Sequence, residues 1–166
     1  GRRDEYVEPG EPMDPAKDTR IERGYYGVAP SPLDGSIWGS TLGMPGGLVR
    51  LVPGEDPVNT ALVEFYEVPW DDPEASVQGF GPRGMDVDSN GVVWTVLSSG
   101  HFASFDRSQC EGPLNGPSAN GRHCPEGWTL YPFPGPNYKD ATDSGSAESA
   151  YYNFTDRFNL LGVGEN

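Results

Sequence analysis

The sequence predicts an all-β fold made of repeated four-stranded antiparallel sheets, and three observations carry that prediction. Two segments spell one pattern twice: Tyr26-Gly27-Val28-Ala29-Pro30-Ser31-Pro32-Leu33-Asp34-Gly35-Ser36-Ile37-Trp38, and Arg83-Gly84-Met85-Asp86-Val87-Asp88-Ser89-Asn90-Gly91-Val92-Val93-Trp94. Their tryptophans stand about 56 positions apart, a period that marks stacked supersecondary units. Gly (23) and Pro (17) make up close to a quarter of the 166 residues and fall between short runs rich in β-branched and aromatic side chains. Those runs are too short for stable helices, so the Gly and Pro read as turn punctuation between strands.

Four strands are expected in the first unit: Tyr26 to Pro30, Ser36 to Leu42, Leu48 to Val52 and Ala61 to Val68. The second unit answers with Gly84 to Val87, Val92 to Leu97, Phe102 to Phe105 and Trp128 to Phe133. Asp34-Gly35 and Asn90-Gly91 occupy equivalent points, with the chemistry of the positive-φ positions in a tight hairpin turn. The connection between the third and fourth strands is longer in the second unit, and this insertion carries both cysteines of the chain, Cys110 and Cys124.

Each unit closes on a similar run, Val63-Glu64-Phe65-Tyr66-Glu67-Val68-Pro69 and Thr129-Leu130-Tyr131-Pro132-Phe133-Pro134, and Glu5-Tyr6-Val7-Glu8-Pro9 has the same flavour. Polar Pro/Asp/Ser stretches follow, leading on to Tyr26-Gly27, Gly84 and Tyr151-Tyr152. The expected organisation is therefore residues 1–24 as the end of a preceding unit and its linkage, 25–69 as one unit, 70–134 as a second with the cysteine-bearing insertion, and 135–166 as a linkage opening a further unit. Four antiparallel strands per repeat of this length is the blade of a β-propeller, here two complete blades with flanking strands of their neighbours. Since a closed ring takes at least four blades, the chain reads as a fragment or processed product whose partners include the remaining blades.

The runs Gly-Val-Ala-Pro-x-Pro-x-Asp-Gly-Ser-Ile-Trp (27–38), Leu48-Val49-Arg50-Leu51 and Val63 to Pro69 resemble the blade pattern of virginiamycin B lyase-like (streptogramin lyase-like) propellers, relatives of the NHL-repeat propellers. Met85-Asp86-Val87-Asp88, Gly91 to Trp94 and Phe102 to Asp106 fit the same pattern, so the likeness covers about residues 25–134. It implies a propeller scaffold and, for enzymes of the family, metal-assisted elimination on a cyclic depsipeptide with a histidine base. None of the family's catalytic residues transfers to this chain by position, and His101 stands where the pattern usually has a polar residue such as Asn or Lys. A divalent metal is thus a cofactor only of a full-length lyase or hydrolase; for this segment none is expected.

Composition narrows the function classes. With 11 basic and 25 acidic residues the formal charge is −14, a field that repels nucleic acid and anionic lipid and favours cationic partners. No apolar run approaches the length needed to span a bilayer. The polar Gly/Pro-rich stretch from Glu111 to His123 is of a size that a Cys110–Cys124 disulfide closes, contributing roughly 3 kcal/mol where geometry permits. Such a pair fits an exported protein, periplasmic or extracellular.

The expected function is small-ligand or protein binding at the rim of the ring. Turns between second and third strands share one face of a propeller with the blade linkages, which brings Ser98-Ser99-Gly100-His101 near the linkage from Trp70 to Arg83. His101, Arg83, Ser99 and Trp70 are the candidate ligand-binding residues, with His101 as proton carrier or metal ligand and Arg83 as an anion clamp. Bland readings compete for the rest. Asp86-x-Asp88-x-Asn90-Gly91 has the opening spacing of a calcium loop, but Leu97 stands where the closing carboxylate belongs, so a hairpin turn is the stronger reading. His123 with the two cysteines offers too few ligands for structural zinc. Trp38 and Trp94, at one repeat position, read as packing between blades, and Asn153-Phe154-Thr155 matches a glycosylation acceptor that matters only on a eukaryotic secretory route.

Overall fold

The computed structural model describes residues 23–136, apart from positions 74, 76 and 117, and residues 150–165. The expected strand at Glu5 to Pro9 and most of the second linkage lie outside the described residues. The remainder forms two four-stranded antiparallel sheets with strand order matching chain order. The first sheet comprises β1 (Tyr25–Pro30), β2 (Ile37–Thr41), β3 (Gly47–Val52) and β4 (Leu62–Glu67). The second comprises β5 (Pro82–Val87), β6 (Val93–Leu97), β7 (His101–Phe105) and β8 (Trp128–Pro132). A single helical turn, α1 (Pro57–Thr60), interrupts the β3–β4 connection.

The first strands of the two sheets lie against each other, so β1 and β5 form the inner margin where the sheets converge. Registers correspond: Trp38 pairs with Ala29 and Arg50, and Trp94 with Asp86 and Ser104. The hairpin turns differ from the two-residue form that Asp-Gly and Asn-Gly suit. Only the glycines take positive φ, 72° at Gly35 and 83° at Gly91. In the second sheet the Gly91 N–H donates to the Asp88 carbonyl at 3.0 Å and the Asp88 N–H to the Val92 carbonyl at 3.0 Å. That is a three-residue loop in which a glycine after a type I turn forms a bulge. The first sheet carries one more residue there, with the Gly35 N–H reaching back to Ser31.

The core lies between the sheets. Alternation puts Trp38, Leu48 and Tyr66 on one face of the first sheet, where they meet Met85, Val87, Val93, Phe105 and Trp128 of the second. Trp38 stacks on Tyr66 and approaches Phe105 at 6.0 Å between ring centroids, which makes it an inter-sheet packing residue. Trp94, its counterpart, stacks on Phe102 and Tyr131 on the far face of the second sheet and gives its indole N–H to Asp88 at 3.0 Å.

Residues 150–165 run beside β5 without regular strand pairing. The Gly84 N–H donates to the Tyr151 carbonyl at 2.7 Å, and Asp86 accepts from the Thr155 backbone and hydroxyl. Tyr151-Tyr152, expected as the opening strand of a further unit, lies along β5 as an irregular strap rather than a strand.

Candidate functional site

The β6–β7 turn organises the rim. Leu97 and His101 pair across it, Gly100 takes φ of 83°, and its N–H closes on the Leu97 carbonyl at 3.0 Å. Hydrogen bonds then tie this turn to the linkage and to the β2–β3 turn. The Gly81 N–H donates to the Pro45 carbonyl at 2.7 Å, and the Gly81 carbonyl accepts the Ser98 N–H and hydroxyl. Turns of both sheets and the linkage therefore share one rim, as the repeat predicts.

All four residues singled out in the sequence gather around that turn, in two layers. Below it, His101 is fully buried and its Nδ1 lies 2.9 Å from the Ser99 hydroxyl, whose oxygen accepts the Phe80 N–H at 3.0 Å. Phe80 in turn meets Trp70 edge to face at 5.3 Å. Above it, Arg83 donates from Nε to the Ser98 hydroxyl at 3.0 Å and from Nη1 to the Ala150 carbonyl at 3.1 Å, with its guanidinium 4.4 Å from the Tyr151 ring centre. His101 and Arg83 belong to one loop system without touching a common hollow among those described.

The registers bring out a feature that the sequence reading passed over. β1 shifts register between Tyr25 and Gly27, and β5 shifts between Pro82 and Met85, so both inner strands bulge at the same repeat position. Tyr26 and Arg83 are the equivalent residues there, and a bulge re-aims the side chain it carries. Tyr152, on the strap, packs 5.5 Å from Tyr26 between ring centroids. Hydrogen bonding to Tyr152 pushes the Tyr26 phenol above its usual range, with partial desolvation adding to the shift and the Arg83 charge opposing it. The outcome is a guanidinium stacked on Tyr151 at the β5 bulge, with the Tyr26–Tyr152 ring pair at the equivalent bulge of β1.

A second cluster went unread as well. Glu64 of β4 is buried between the sheets and receives Arg107 at 2.6 and 2.8 Å, Arg50 at 3.2 Å and the Tyr66 hydroxyl at 2.9 Å. Arg50 also pairs with Asp34 at 2.7 Å. Burial by itself pushes the Glu64 carboxyl up, but the Arg107 and Tyr66 hydrogen bonds and the two guanidinium charges outweigh it and leave it below its ordinary value. Arg107 follows β7 of the second sheet, so the network is an ionic bracket across the interface. The available signal was the two-residue spacing of Glu64 and Tyr66, which puts both on the face that Trp38 shares.

The other motifs are structurally occupied. Asp88 accepts the Asn90 and Val92 N–H groups at 2.9 Å each, and Asp86 holds Thr155 and Arg157, so both carboxylates brace backbone and strap. Among the described residues no three His, Cys, Asp or Glu side chains converge to hold a metal ion. Asn153 donates from its side-chain amide to the Trp94 carbonyl at 3.0 Å. His123 packs on Tyr66 at 5.1 Å, its Nδ1 accepting the Gly121 N–H, and burial lowers its affinity for a proton.

Cys110 and Cys124 form a disulfide with their Cα atoms 5.0 Å apart. The insertion it closes does more than project: the Gly121 carbonyl accepts the Glu67 N–H at 2.8 Å and Arg122 pairs with Glu67 at 2.9 Å. The loop thereby covers the outer edge of the first sheet, which would otherwise offer unpaired backbone groups. No helix among the described residues is long and apolar enough to cross a membrane. No protein-family model matches the chain, and no curated protein is similar to it.

Proposed function

We propose that the chain is a binding segment of a streptogramin-lyase-like β-propeller, holding a small ligand at the inner margin of the ring while further blades cover its open faces. The observation that carries the binding role is the bulge repeated in β1 and β5. It sets Arg83 against the Tyr151 ring and Tyr26 against the Tyr152 ring where neighbouring sheets converge. A guanidinium with two of its nitrogens already anchored is preorganised, and the Tyr151 ring lies against one of its faces. The chemistry fits a small carboxylate carried on a flat apolar body. In this reading Ser99 and His101 position the turn, and Trp70 braces Phe80, so that Arg83 keeps its place. The disulfide supports an oxidising compartment, periplasmic or extracellular.

Benzoate is a suitable probe, followed by tyrosine fluorescence or calorimetry on the whole chain. Arg83→Ala is expected to weaken its binding at least about tenfold, the cost of losing a charged hydrogen bond. Arg83→Lys should recover only part, since an ammonium lacks the planar fork. Equal benzoate affinity in all three proteins would refute the proposal.

A further inference from the structure

The disulfide-closed insertion carries a titratable ring at the point where it meets the first sheet. His123 lies between Arg122 and Cys124 of the bridge, and its ring packs on Tyr66 of β4 at 5.1 Å between centroids. Its two preceding neighbours dock the insertion: the Gly121 carbonyl accepts the Glu67 N–H at 2.8 Å, and Arg122 pairs with Glu67 at 2.9 Å. The fit is close, since a Cβ at Gly121 would come within 3.1 Å of the Phe65 ring and 3.2 Å of the Glu67 side chain.

Hydrogen-bond direction fixes the protonation state of the docked ring. A backbone nitrogen can only donate, and that of Gly121 points at Nδ1 of His123 at 3.2 Å, so Nδ1 carries the lone pair and Nε2 the proton. A second proton would set N–H against N–H at Gly121, the residue whose carbonyl holds Glu67. Nε2 offers no compensation, being buried without a hydrogen-bond partner.

Charged groups face the ring from each element packed against it. On β4, Glu64 favours the imidazolium, though Arg107 and Arg50 already share its charge. The Tyr66 phenol stays neutral, pushed far above its usual range by burial and by Glu64. Glu126, beyond the bridge, and the Leu114 carbonyl within the insertion favour the imidazolium as well, while Glu67 and Arg122 compensate each other. Burial outweighs these attractions and holds the docked ring below its ordinary 6.5.

We propose that His123 is an acid-operated latch, whose protonation releases the insertion from the outer edge of the first sheet and bares the Glu67 N–H. The docked state keeps the ring neutral, whereas the released ring takes a proton at the ordinary value. Docking is therefore complete above pH 6.5 and weakens as the pH falls below it, towards the depressed value of the docked ring. The disulfide keeps the released insertion tethered, so raising the pH closes the latch again.

Hydrogen exchange of the whole oxidised chain, followed by NMR and corrected for intrinsic rates, tests the latch. Protection of the Glu67 amide is expected to fall roughly fivefold or more between about pH 7.5 and about pH 5.5, while amides of β6 and β7 keep theirs. Glu64 stays ionised throughout this window, so it does not contribute. His123→Asn offers the Gly121 N–H a side-chain oxygen that does not titrate, and its Glu67 amide should be equally protected at both pH values. A variant that docks poorly leaves the parent to decide, where the His123 ring resonances and the Glu67 amide shift must titrate with one midpoint. Unchanged Glu67 protection in the parent, the same loss in a well-docked His123→Asn, or separate midpoints would overturn the proposal.

Discussion

Glu64 shows how far one residue departs from its apparent role. In a strand that alternates Val63, Phe65 with Glu64, Tyr66, the glutamate is the charged residue, yet it shares the Tyr66 face and its side chain is fully buried against the second sheet. Burial is tolerable because Arg107, Arg50 and Tyr66 satisfy both carboxylate oxygens; removing one partner of such a network costs far more than the network contributes over an apolar substitute. Glu64→Gln strands two guanidinium groups at the interface and is expected to lower stability by about 3 kcal/mol, measured by urea unfolding at neutral pH. The same carboxyl predicts acid sensitivity. Its folded-state affinity for protons is depressed below the ordinary value of 4.5, so its contribution is complete above that pH and drains away as pH falls through the lower folded value. Asp34 adds to the trend: burial opposes its ionised form, but hydrogen bonds from Ser36 and Arg50 prevail and depress it too. Urea midpoints should therefore drop between pH 5 and pH 3, less steeply in Glu64→Gln; an equal slope in both proteins would exclude Glu64 as a source.

Among the elements, the eight strands were legible to within a residue or two because their signals are local: short β-branched runs, period-two alternation and Gly-bearing turns. The bulges in β1 and β5 were not, since a bulge is a property of two strands in register and leaves no distinctive residue behind. The insertion between β7 and β8 was visible as a longer gap, but its attachment to Glu67 of the other sheet was not. That attachment gives the disulfide a role beyond closing a loop. Replacing both cysteines with serine is expected to cost about 3 kcal/mol in thermal or denaturant unfolding, from the entropy returned to the unfolded loop. Hydrogen exchange at the Glu67 amide should speed up in the same variant. Unaltered exchange there would show that the loop docks without help from the bridge.

For the whole molecule, the repeat makes its own control experiment. Val28, Ile37, Val63 and Phe65 in the first sheet are the register equivalents of Met85, Val93, Trp128 and Leu130 in the second. The second set is buried by the first sheet; the first set faces outward, with Val28 60%, Ile37 37% and Val63 42% exposed against 0% for Val93. The outward set is thus apolar at positions whose counterparts in the second sheet are packed away from water. Val93→Asp should therefore destabilise the chain by about 4 kcal/mol, the cost of burying an unpaired charge. Ile37→Asp should stay within about 1 kcal/mol of the parent and reduce self-association in sedimentation velocity. Comparable destabilisation by both substitutions would mean that the outward face is covered from within the chain.

Strand identity, hairpin order, the repeat and the pairing of the two cysteines follow from the amino-acid order, because each depends on interactions along a short stretch of backbone or on simple counting. The burial of Glu64 and His101, the stacking of Arg83 on Tyr151, and the docking of the disulfide-closed insertion on Glu67 came only with the assembled sheets. These depend on which face meets which neighbour, and alternation along a strand names two faces without saying which one another sheet will cover.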